Sequence, residues 1–83
     1  PELYKRLVAW RNAEASRLGL PVYTVIQQKA ILGITNLLPE DKTTLLRIPY
    51  FGKKGVEKYG DELLEMVRMY KKESGIAETL FSD

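Results

Sequence analysis

Neither cysteine nor histidine occurs in this 83-residue sequence, and the two absences exclude most of the chemistry a small domain can carry. Without Cys there is no disulfide framework and no thiolate zinc site, so a chain this short rests on its apolar core and fits a reducing compartment. Without His the commonest general base near neutral pH is missing, and with Cys also gone so are the usual ligands of transition metals. There is no Gly-rich phosphate loop of nucleotide-binding spacing, no Ser-centred nucleophile turn and no clustered acidic pair with a partner base. The sequence therefore reads as non-enzymatic, with no cofactor of its own. No apolar run approaches the roughly 20 residues that a bilayer requires, and no basic-then-apolar leader precedes a cleavage site, so neither a membrane span nor a signal peptide is expected. Internal repeats and low-complexity stretches are absent as well.

What is present is a composition of 45% hydrophobic and 29% charged residues, that of one small soluble globular domain. A start at Pro1 in place of Met suggests a piece of a longer protein. The formal net charge of +2 is unevenly spread: residues 1–60 hold 10 Lys/Arg against 5 Asp/Glu, whereas residues 61–83 hold 3 against 6. A basic body is followed by an acidic end.

Hydrophobic spacing predicts helices throughout. Leu3, Tyr4, Leu7, Val8, Trp10, Ala15 and Leu18 recur three and four residues apart, which makes residues 2–18 an amphipathic helix closed by Gly19. Trp10, at the edge of this stripe, is assigned to the core. The β-branched run Val22 to Ile26 has no second run to pair with, so it reads as a turn and a short helix. Residues 28–38 place Ile31, Leu32, Ile34, Leu37 and Leu38 on a wide apolar face, with Gly33 as a weak point, and Pro39 forbids continuation. Asp41 caps a brief helix through Leu45, Leu46 and Ile48 that Pro49 closes. From Lys53, the stripe Val56, Tyr59, Leu63, Val67 and Tyr70 predicts a long helix to about residue 71. Ile76, Leu80 and Phe81 offer one further turn. The expected architecture is all-α, a bundle of about five helices over residues 1–72 followed by a tail at 73–83.

The stretch from Leu45 to Gly60 reads as a short helix, a tight Pro/Gly turn at Pro49 to Gly52, and a second helix that opens with two lysines. A helix N-terminus exposes unpaired amides and the positive end of the dipole, where lysines are otherwise unfavourable, so Lys53, Lys54 and Lys58 read either as phosphate contacts or as a solvated helix face. Tyr23, held by Pro21 on a turn near basic residues, is placed as single-stranded binders place a stacking ring, or else it is buried. Arg11, Arg17 and Lys29 either extend this basic surface or serve as solubilising charges. Glu57, Asp61 and Glu65 stand four apart, but with Lys54, Lys58 and Glu62 interleaved they read as a solvent-facing ladder of mixed charge and not a cation site.

The order Leu7-Val8-x-Trp10-Arg11, then Gly19 to Ile26, then Ile31-Leu32 and Pro39, then Leu45-Leu46-Arg47-Ile48-Pro49-x-x-Gly52-x-Lys54-x-Val56-Glu57-Lys58-Tyr59-Gly60 resembles the HRDC domain, named for helicase and ribonuclease D C-terminal regions. The resemblance covers residues 3 to about 70 and implies a five-helix module without catalysis of its own. It points to an accessory domain of a RecQ-like ATP-dependent DNA helicase, acting in DNA repair or recombination, that binds single-stranded or structured DNA weakly and without sequence specificity. ATP and Mg²⁺ are then requirements of the parent, and the location is cytoplasmic, or nucleoid-associated in a bacterium. The alternatives are a protein-interaction module that orients the parent's catalytic domains, and the corresponding domain of ribonuclease D. Two positions depart from the family pattern. Tyr50 and Phe51 stand where Gly and a small aliphatic are usual, which predicts a ring obstructing close phosphate approach, with Phe51 in the core and Tyr50 more exposed. Gln27-Gln28-Lys29 replaces a small polar residue and Asp, which predicts a poor helix cap. The candidate contacts are Lys53, Lys54, Lys58, Tyr23, Arg17, Lys29 and Tyr50.

Overall fold

The computed structural model describes residues 2–75, which fold into five helices: α1 (Glu2–Leu18), α2 (Val22–Val25), α3 (Gln28–Leu37), α4 (Lys42–Leu45) and α5 (Gly52–Ser74). The all-α bundle is the expected one. The possible turn at Ile76, Leu80 and Phe81 lies outside the described residues. α5 runs three residues past the expected end, closing at Gly75 in a left-handed cap that bonds back to Lys72.

α1 and α5 form the frame and run antiparallel. At one end Arg6 of α1 donates to Glu73 of α5 at 2.6 Å. Midway, Trp10 Nε1 donates to Glu62 at 2.9 Å. Toward the other end the Tyr59 hydroxyl donates to Glu14 at 2.8 Å. α2 and α3 pack on α1, and α4 packs on α5. Between them lies a core of Leu3, Leu7, Ala30, Ile31, Ile34, Leu45, Leu63 and Val67, all essentially sealed from solvent. Each fully buried aliphatic contributes about 1.5–3 kcal/mol by leaving water, so this cluster opposes the ordering entropy of a chain that has no cross-link.

Each terminator has a local cause. α1 ends in a pair of bonds, Leu20 N–H to Ala15 O at 3.0 Å and Gly19 N–H to Ser16 O at 3.2 Å, the Schellman arrangement that occupies its last carbonyls. Asp41 accepts from the Thr44 amide at 2.7 Å and starts α4. That bond holds the Asp41 carboxyl below its ordinary range. Gln27, by contrast, precedes α3 without any side-chain cap bond, in line with its poor capping chemistry, yet α3 still begins at Gln28 because its apolar face is anchored on α1.

The apolar face read from α3 was too wide. Ile31 and Ile34 are buried, but Leu32 and Leu37 stand 46% and 49% exposed, and Leu46 after α4 is exposed as well. α3 is apolar on more than one side, and only the side facing α1 is covered. At Gly33 a side chain would meet Ile48 Cγ2 at 3.0 Å. The weak point in the helix is therefore where α3 presses against the turn after α4. Trp10, assigned to the core, is half-buried; it packs its edge on the Tyr59 ring at 5.0 Å and 86°. Phe51 packs against the core as expected, and Tyr50 stands exposed beside it.

Candidate nucleic-acid interface

Because α1 and α5 are antiparallel, the end of α1, the α1–α2 turn and the start of α5 share one end of the molecule. Gly33 against Ile48 brings α3 to the turn that precedes α5, and Lys29, one helical turn back from Gly33, places its ammonium 4.9 Å from the centre of the Tyr50 ring. Lys29 and Tyr50 thus come together across 21 positions of sequence, a juxtaposition made by the fold, and Lys53 and Lys54 follow Tyr50 on the first turn of α5.

Lys53 and Lys54 lie exposed on the first turn of α5. Among the described residues neither enters an ion pair. The residue before the helix, Phe51, supplies no side-chain cap, and no turn carbonyl accepts from the amides of residues 52–55. Four donors at the positive end of a 23-residue helix, with two uncommitted ammonium groups beside them, make a region of positive potential that anions enter favourably.

Lys58 and Arg17 are differently placed. Lys58 lies over the face of Tyr59 at 5.3 Å and does not reach Glu62, which is taken by Trp10. The expected ladder of mixed charge is broken at that step. Two more of its carboxylates are occupied, Asp61 by Lys42 at 3.2 Å and Glu65 by Arg68, while Glu57 has no ion pair among the described residues. Arg17 grips Glu14 through two nitrogens, at 2.8 and 2.6 Å. The Arg17 bonds first, and the Tyr59 hydroxyl second, hold the Glu14 carboxyl at about 2. Tyr59 is pushed up by burial and by its bond to that carboxylate. A phosphate approaching Arg17 has to compete with a bidentate partner, whereas one approaching Lys53 or Lys54 does not.

Tyr23 projects from α2 with 67% of its surface exposed and, among the described residues, forms no hydrogen bond or ring contact. The buried alternative for its ring is therefore not realised. Leu20 and Val22 are exposed on the same turn. One cation was passed over in the sequence reading: Arg47, exposed and without an ion pair among the described residues, in the turn that carries Tyr50. Its place inside the Leu45 to Gly60 motif was the available signal. An apolar groove lined by Tyr4, Lys5, Leu32 and Thr35 lies between the start of α1 and α3, beside the bond that Gln28 donates to the Tyr4 hydroxyl at 2.9 Å.

Comparison with known proteins identifies the family. Residues 1–67 match the family model described as the HRDC domain. The ATP-dependent DNA helicase UvrD2 of Mycobacterium tuberculosis, and that of Mycobacterium bovis, are 36% identical over 67 residues, covering 81% of this chain and 10% of the helicase. The chain thus spans about a tenth of the length of the curated relatives it matches. No solved structure matches it. Five helices in this order, the Pro/Gly turn ahead of α5 and a family match over most of its length place the chain in the HRDC domain family.

Proposed function

We propose that this domain is a non-catalytic accessory module of an ATP-dependent DNA helicase that holds single-stranded or structured DNA by its phosphates. The observation that carries the reading is the pair Lys53 and Lys54, exposed and without ion pairs among the described residues, on a helix turn whose amides have no turn carbonyl to bond. Tyr23 supplies an exposed ring for stacking on α2, which packs on α1. Lys29, Lys58, Arg17 and Tyr50 border the surface, with Lys58 and Arg17 partly committed to Tyr59 and Glu14. Phosphate contacts position a strand without reading it, so the binding is weak and indifferent to sequence. ATP, Mg²⁺ and strand separation belong to the parent's motor, and a cytoplasmic location follows from that parentage. The helicase name of the relatives supports the parentage; a RecQ-like parent in DNA repair or recombination is the narrower form of the same proposal.

Titration of the chain into a fluorescein-labelled single strand tests the reading. Lys53→Glu combined with Lys54→Glu is expected to weaken binding on every sequence alike, and Tyr23→Ala to weaken it by about 1–3 kcal/mol if one base stacks there. Full binding by the double variant would overturn the phosphate site. A second reading, a module that docks on the parent's other domains or on a partner protein, is favoured by the exposed apolar cluster of Leu20, Val22 and Tyr23. It requires Leu20→Ser to impair assembly with the parent while leaving DNA binding intact. Ribonuclease D as the parent is distinguished by the neighbouring catalytic region of the full-length protein.

A further inference from the structure

Tyr50 has a backbone φ of +68°, a conformation that costs any residue with a Cβ and that glycine adopts freely. A bulky aromatic held there, with 59% of its surface exposed, gains little from packing to offset that cost. Lys29 occupies one face of the ring at 4.9 Å, and the exposed remainder of the ring faces solvent. Arg47 stands three residues before it and Lys53 and Lys54 follow; among the described residues none of the three is in an ion pair. Strain of this kind concentrates where a side chain is needed in a particular place.

We infer that Tyr50 is a stacking post that makes this domain select unpaired bases over duplex. The inference rests on the proposed DNA-binding function and adds to it the class of ligand. A ring at the tip of the turn stands between the α5 amides and the backbone of a rigid duplex, whose bases offer it no free face. A single strand can rotate one base onto the open face of Tyr50, while the phosphates flanking that base reach Arg47, Lys53 and Lys54. Lys29 holds the ring from behind and adds a cation to the same strand.

The test compares three ligands: a labelled mixed-sequence single strand, the same strand annealed to its complement, and the same length of abasic strand. Tyr50→Gly suits the left-handed backbone, so the variant folds, and its melting temperature is expected not to fall below that of the parent chain. On the base-bearing single strand it is expected to bind about tenfold more weakly, with duplex and abasic binding unchanged or improved. No loss on the single strand, or an equal loss on all three ligands, overturns the stacking role. Lys53→Glu with Lys54→Glu is measured alongside. A loss there on all ligands, with none for Tyr50→Gly, removes Tyr50 from the account and leaves the proposed function standing, whereas undiminished binding by the lysine variant overturns the proposed function and this inference with it.

Discussion

Replacing Trp10 by Ala removes the contact that holds the middle of α1 to α5. A fully buried Trp costs about 3–5 kcal/mol on truncation to Ala, and with the indole half-buried that contribution falls to about 2 kcal/mol. The edge-to-face pair with Tyr59 adds about 1 kcal/mol. The bond to Glu62 joins a half-buried indole to an exposed carboxylate and adds about 0.5 kcal/mol. The expected loss is about 3 kcal/mol, a drop in Tm of roughly 12–24 °C for a domain of this size. Against a total stability of about 4–12 kcal/mol, the variant keeps about 1–9 kcal/mol, so it still folds but melts earlier. Tyr23→Ala is the control: its ring is exposed and without hydrogen-bond or ring partners among the described residues, so stability changes by no more than about 0.5 kcal/mol. Thermal melts followed by circular dichroism at 222 nm decide, the wavelength being that of helical signal. A Trp10→Ala variant melting within about 3 °C of the parent chain, or a Tyr23→Ala variant melting as low as Trp10→Ala, would refute the division between supporting and exposed aromatics.

Two further outcomes follow from local geometry. Gly55→Ala places a methyl 2.7–3.0 Å from the ring of Phe51, so that ring must move; the gain of about 1 kcal/mol in helix propensity is outweighed by crowding of about 1–3 kcal/mol, and urea melts should show a net loss where an exposed helical Gly→Ala would show a gain. The Glu14 carboxyl, lowered from its ordinary 4.5 to about 2, contributes stability that is fully present above about pH 4.5 and is lost as pH falls toward 2. Tyr59, raised above its ordinary 10.0, contributes stability present below pH 10 that is lost as pH rises through its folded-state value. Glu14→Gln should flatten the acid limb of a stability–pH curve, and an unchanged limb would show that the Arg17–Glu14–Tyr59 group does not couple α1 to α5.

The elements themselves were legible because each carries a local signal: the four-residue stripe from Val56 to Val67, Asp41 three residues before Thr44, Gly19 after Leu18. The exposed face of α3 was not, since Leu32 and Leu37 satisfy helical spacing as well as Ile31 and Ile34 do, and only the position of α1 tells them apart. Lys58 and Glu62 stand four apart in the expected ladder of mixed charge, but in the fold Trp10 donates to Glu62 and the Tyr59 ring receives Lys58. Within the candidate interface, Lys53 and Lys54 could be found from the Pro/Gly turn ahead of a helix. The Lys29–Tyr50 contact could not, because it depends on α3 meeting Ile48 at Gly33. The positive φ of Tyr50 was hinted at only by the family's preference for Gly there.

The claim that phosphates are held at the start of α5 is tested most directly by the salt dependence of single-strand affinity. With about three phosphates neutralised, log affinity plotted against log salt concentration should fall with a slope of roughly −2. Lys53→Glu with Lys54→Glu should bring that slope to about −1 or shallower. A flat response in the unsubstituted chain, or the same slope in both proteins, would contradict the account.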